Sequence, residues 1–297
     1  MNPAVTDLYE ALLQRETSAL RSSIDRILAN GTPEKLWLEL TRFSLLALAP
    51  TEQSQHALLA TVEAKSYLTN HRSAAAGLTS VATYLSLSRL PWSEAPILEP
   101  VTAGGAVSVE SIVLAVSEKR REIIESAVEA LINKRRQLLE AAARLDDELR
   151  HASIIAGAIQ KLVVLHPELR REGVRAIANT WIAGAHSEPS PVSRHSETRD
   201  VAVRYVESDG DVTIFHELLF ADFARTEADQ TVSPPSIGVD EEFVTYNLPK
   251  DYAAAFVIGP LVARLAPMVD EELRLKVIDA ARKNLASGPS FEEWLYV

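Results

Sequence analysis

Residues 108–156 read SVESIVLAVSEKRREIIESAVEALINKRRQLLEAAARLDDELRHASIIA. Neither Gly nor Pro interrupts them, and the helix formers Ala, Leu, Glu and Arg dominate. The stretch predicts one very long helix, or two joined near Asp146, where Asp146-Asp147-Glu148 suits a helix start. Its second part, with Ile154, Ile155, Ile159, Leu162 and Val163, is strongly apolar and runs to Leu165.

Helix punctuation continues on both sides. Asn2 or Thr6 opens a helix predicted to run to Asn30, with Gly31 as its stop. Thr32-Pro33-Glu34 supplies an N-cap, a first-turn Pro and a first-turn acid for a second helix to Leu48. Pro50-Thr51-Glu52 restarts the chain into a third, carrying His56, Leu59, Glu63 and Tyr67, and a fourth runs to Leu90. His166-Pro167-Glu168 repeats the cap-and-Pro signal ahead of a helix to Ile182. Two further helices are expected near 251–266, with a kink at Gly259-Pro260, and 270–286. Between 201 and 215 two readings compete. Val and Tyr alternating around Asp209-Gly210 fit a small β-hairpin, whereas Phe215, Leu218, Leu219 and Phe223 have helical spacing behind Asp211 as N-cap. Helix is favoured. The fold expected is all-α, a multi-helix bundle of about ten helices around one core. It forms a single domain over 1–297 that could divide only at the loops near 91–107 and 229–239.

Composition limits the chemistry. At 47% hydrophobic and 24% charged, the 297 residues can build a large core without staples. With no Cys, disulfides, thiolate metal sites and cysteine nucleophiles are excluded. A net charge of −11 argues against nucleic acid, and Lys119-Arg120-Arg121 and Lys134-Arg135-Arg136 read as solvated helix faces beside acids. The N-terminus lacks a basic and an apolar region, and the most apolar run, 253–263, is half of the ~20 residues a bilayer span needs. A cytoplasmic location without membrane contact is the expectation. There is no G-x-G-x-x-G, no Walker-type loop and no G-x-S-x-G elbow.

Histidine carries the remaining signal. His56, His71, His151, His166 and His216 fall within or beside apolar helical segments, where imidazole can move protons near neutral pH or bind divalent metals. His166 reads as a cap before Pro167, and His186 and His195 fall in a loop, which leaves His56, His151 and His216 as the candidates. His56 and Glu63, seven apart, share a helix face. Glu148 and His151 form one E-x-x-H, the spacing of ferritin-like di-iron sites, but no second E-x-x-H exists.

Three segments together resemble the questin oxidase-like family: Gln55-His56-Ala57-Leu58-Leu59 with Tyr67 following, Leu149-Arg150-His151 through Lys161-Leu162, and Ile214-Phe215-His216-Glu217-Leu218-Leu219. The resemblance covers roughly residues 50–230. It implies a helical oxidoreductase, an oxygen- and NADPH-dependent oxygenase acting on an aromatic or polyketide-like molecule in an interhelical pocket. On that reading His56, His151 and His216 are catalytic, as bases or hydrogen-bond donors, and Tyr67 and Trp181 stack on a flat substrate. Two alternatives stay open. One is a non-catalytic helical scaffold that forms a homo-oligomer through 108–150, and the other is a di-iron carboxylate protein using Glu148 and His151. The enzyme requires the histidines to converge; the scaffold scatters them.

Overall fold

A computed structural model of the chain describes residues 3–48, 52–69, 71–87, 108–146, 150–184, 197–225, 261–262 and 264–287. Among them are thirteen α-helices and no strand. The first half contains α1 (Pro3–Gln14), α2 (Thr17–Asn30), α3 (Pro33–Leu46), α4 (Glu52–Glu63) with a 3₁₀ extension over Ala64–Thr69, and α5 (His71–Leu87). Then come α6 (Val109–Ser117), α7 (Arg121–Leu131), α8 (Arg135–Ala143) and α9 (His151–Leu165). A 3₁₀ turn over Pro167–Leu169 leads into α10 (Arg170–Gly184), followed by α11 (Thr198–Glu207), α12 (Val212–Leu219) and α13 (Glu271–Ser287). The all-α expectation holds, with more and shorter helices than the sequence suggests.

The uninterrupted 108–156 stretch is not one helix or two; it folds back on itself as α6, α7, α8 and the start of α9. Its turns form without glycine. Lys119 and Arg150 both adopt left-handed backbone, at φ 54° and 59°. This conformation costs a non-glycine residue about 1–2 kcal/mol, and packing pays for it. Each short helix buries one stripe, such as Ile124, Ala127, Val128 and Leu131 of α7, against its neighbours. The same device, Arg15 at φ 58°, splits the expected first helix into α1 and α2. Of the two basic triplets, Lys119, Arg120 and Lys134 sit at turns while Arg121, Arg135 and Arg136 open α7 and α8, and the long helix on which the oligomer reading relied is absent.

Residues 201–215 form α11 and the start of α12, not a hairpin. Asp209 and Gly210 take left-handed backbone between them, and Asp211 caps α12 by accepting from the backbone N–H groups of Thr213 and Ile214. The kink at Gly259-Pro260, the loops at 91–107 and 229–239, and residues 88–90 lie outside the described residues.

At the centre is α9. His151 through Gln160 are all buried, because Ala, Ile, Ser and Gly occupy every side of the helix and neighbours surround it. It packs against α4, α8, α10 and the helical segment after α12. Contact with α10 is close at Gly173, where a Cβ would lie 2.7 Å from Val163 Cγ1. Asp146 fixes the start of α9: its carboxylate accepts from the Ser153 N–H at 2.8 Å and the Ser153 hydroxyl at 2.6 Å. No described helix is long and apolar enough to cross a membrane.

Candidate metal centre

Three helices bring the three singled-out histidines together. His56 is in the first turn and a half of α4, His151 opens α9, and His216 sits in the second turn of α12. One ring nitrogen from each lies within 4.8 Å of the others. The ring centroids are 5.0 Å apart for His151 and His216, 5.6 Å for His56 and His216, and 5.9 Å for His56 and His151. His151 and His216 are buried and His56 is half-buried.

The geometry suits an ion better than a hydrogen bond. His56 Nε2 and His216 Nε2 are 3.4 Å apart, long for a nitrogen–nitrogen hydrogen bond. Two imidazole nitrogens each about 2.0–2.1 Å from a tetrahedral ion would lie about 3.3–3.4 Å apart. His216 is also held in the required tautomer. Its Nδ1 is 2.8 Å from the Val212 carbonyl, which can only accept, so Nδ1 carries the hydrogen and Nε2 points its lone pair at His56. Burial, followed by the neighbouring His216 and His151, pushes His56 down to about 3, so it stays neutral and ligand-competent at physiological pH.

Backbone strain adjoins the cluster. Left-handed Arg150 turns the chain into α9 one residue before His151, and its guanidinium lies 4.6 Å from the centre of the Phe220 ring. Phe220–Arg225 continues α12 as a π-helix, a form that recurs at functional sites.

A second buried layer lies on the same elements. Glu63 is seven residues, about 10 Å, along α4 from His56. Asp222 is six residues past His216, and Lys161 ten past His151. Arg264 donates to both Glu63 oxygens at 2.9 and 3.1 Å, and to Asp222 at 2.6 Å, while Lys161 donates to the Asp222 carbonyl at 2.7 Å. Burial works to lower Arg264, but Glu63 and Asp222 outweigh it and hold it above the ordinary arginine value. Burial pulls Lys161 down to about 8. Because α4, α9 and α12 meet at both levels, the three elements run in the same direction. Glu63 was visible from its spacing to His56. Arg264 and Asp222 carry no signal in the sequence, where Arg264 simply follows the apolar run 253–263.

Of the other candidates, Trp181 is fully buried in the core on α10, and its Nε1 has no hydrogen-bond partner among the described residues. The side chains of Tyr67 and His71, and all of Glu148, His186 and His195, lie outside the described residues. The four-carboxylate set of a di-iron site therefore gains nothing here, and no carboxylate joins the three histidines among the described residues.

The low affinity of His56 for protons makes stability pH-dependent. Its folded value lies below the unfolded 6.5, so as pH falls below 6.5 only the unfolded chain takes up this proton and stability is lost towards pH 3. At pH 4.5 the loss from this group is about 2–3 kcal/mol. Urea unfolding of metal-free protein at pH 7 and 4.5 is expected to show it, and a His56→Gln variant is expected to lack that component.

Compared with known proteins, the chain matches no family model, no curated protein and no solved structure.

Proposed function

We propose that His56, His151 and His216 hold one divalent transition-metal ion, and that the chain is a metal-dependent oxidoreductase acting as an oxygenase on an aromatic or polyketide-like small molecule. The observation that carries the reading is the meeting of three imidazoles from three helices, one ring nitrogen of each within 4.8 Å of the others and the His56 and His216 Nε2 atoms at the spacing of tetrahedral ligands. Three histidine nitrogens suit iron, zinc, copper or nickel, and three protein ligands leave coordination positions for water, dioxygen or a substrate oxygen. An iron ion there would supply the redox chemistry. The protein's part is to orient His216 through the Val212 carbonyl and to bury His151 and His216. Convergence favours an enzyme over a scaffold, and the resemblance to questin oxidase-like proteins points to the same three residues. The NADPH implied by that resemblance finds no glycine-rich phosphate loop in the sequence and no strand among the described residues, so no step is routed through it.

The test is metal analysis and an ultraviolet-visible spectrum on protein purified without an affinity tag. About one ion per chain, removable by chelator and restored by iron(II), is expected. Protein that takes up no iron, zinc or cobalt overturns the metal centre. Iron-loaded protein that consumes no oxygen with a panel of hydroxylated anthraquinones overturns the oxygenase reading alone.

A further inference from the structure

A second cluster of reactive groups lies at the opposite ends of α4 and α9. Lys65 follows His56 by nine residues and His166 follows His151 by fifteen, which places this cluster roughly 13–22 Å from the three histidines. Lys65, in the 3₁₀ extension of α4, lies with its Nζ 2.6 Å from His166 Nε2. An ammonium can only donate, so Nε2 accepts and the ring hydrogen is on Nδ1, facing Glu168 Oε1 at 3.4 Å. Trp37 frames the pair. The lysine nitrogen is 5.1 Å from the indole ring, the imidazole packs edge-on against that ring at 5.0 Å, and Trp37 Nε1 is anchored on the Thr61 carbonyl at 2.8 Å.

The sequence made His166 a simple cap. The structure instead gives a carboxylate, an imidazole and an amine in a row, the order used to activate nucleophiles. We propose that Lys65 is a nucleophilic amine that takes small aldehydes or ketones as an imine, with His166 receiving its proton and Glu168 positioning His166. The amine lone pair attacks the carbonyl carbon, forming the C–N bond, while the C=O pair moves to oxygen. His166 Nε2 carries the two nitrogen protons in turn to the oxygen, the first giving the carbinolamine hydroxyl and the second converting that hydroxyl into a leaving water. That oxygen leaves as water, and the nitrogen lone pair closes the C=N bond. No oxidant or reductant is needed.

The charges facing the amine allow this. Burial lowers Lys65 below the ordinary lysine value, against Glu34 and Glu168, which raise it. Burial and then Lys65 lower His166, against Glu168 and Glu34. The pair therefore resists carrying two positive charges. Lys65 is half-buried rather than sealed, and His166 is buried behind it, so a small carbonyl compound can reach the nitrogen.

The experiment treats the full chain at pH 7 with benzaldehyde and sodium cyanoborohydride and maps labelled lysines by peptide mass spectrometry. Lys65 is expected to label at least about tenfold faster than the exposed Lys35 and Lys119, with a pH inflection below the ordinary lysine range. The folded His166→Gln variant is expected to lose that advantage. Glu168→Gln, which removes an exposed carboxylate and leaves the fold intact, is expected to lose part of it and so decides the matter if His166→Gln misfolds. Lys65 labelling no faster than Lys35 and Lys119 overturns the proposal, as does an advantage unchanged in either folded variant.

Discussion

Replacing His216 by Ala is expected to abolish stoichiometric metal binding and the gain in thermal stability that metal gives. Wild-type protein at a metal concentration one hundred times its Kd should gain about 2.7 kcal/mol, which is about 5–10 °C in a chain of this size. Removing one of three ligands, together with the Val212 contact that orients it, should weaken binding by about a hundredfold or more. The variant then gains at most about 0.4 kcal/mol at the same concentration. Its metal-free form is the discriminating measurement. If His216 were only a packed core residue, the variant would be destabilised and metal would not matter to either protein. In a metal centre the stability difference between wild type and His216→Ala widens when metal is added to the two metal-free proteins. His166→Ala serves as the control, since it lies at the other end of α9 and should leave metal binding intact.

The three histidines were legible because each is a polar ring in an apolar helical segment, a placement that burial tolerates only with a partner. Their meeting was not legible. It depends on α4, α9 and α12 lying side by side in one direction, and long-range packing of that kind leaves no mark on local spacing. The helix breaks within 108–156 were missed for a related reason. Nothing at Lys119 or Arg150 has the residue chemistry of a turn, and the chain reverses there because the buried stripes on either side face different neighbours. Where local chemistry does specify a helix boundary, the sequence is legible: Thr32 caps the start of α3 by accepting from Lys35 N–H, and Asp211 caps the start of α12. His166 shows the opposite failure. Its position before Pro167 fitted a cap so well that its ring was overlooked, although Lys65 and Trp37 hold that ring from more than a hundred residues away.

Arg264→Ala is the substitution expected to cost the fold most, about 4 kcal/mol or more. The guanidinium is the shared partner of Glu63 and Asp222, whose side chains are only 6% and 1% exposed. Without it the two carboxylates lose their shared guanidinium in a poorly hydrated layer where Lys161 donates to the Asp222 carbonyl. Urea unfolding at pH 7 measures the loss, and two further results separate uncompensated charge from lost packing. First, the penalty should shrink as pH falls toward 5. In the variant burial raises Glu63 without the opposing guanidinium, so the folded state gains its proton first and stability recovers on acidification. A loss due to packing alone would not change with pH. Second, neutralising the whole layer by Glu63→Met, Asp222→Leu and Arg264→Met should restore most of the stability, because desolvated ion pairs are often matched by apolar groups of similar volume. If the triple variant folds stably and still binds metal, the ionic layer is not needed for stability. If it folds stably but binds metal more weakly, the layer serves to set the spacing of α4, α9 and α12, and with it the spacing of the three imidazoles.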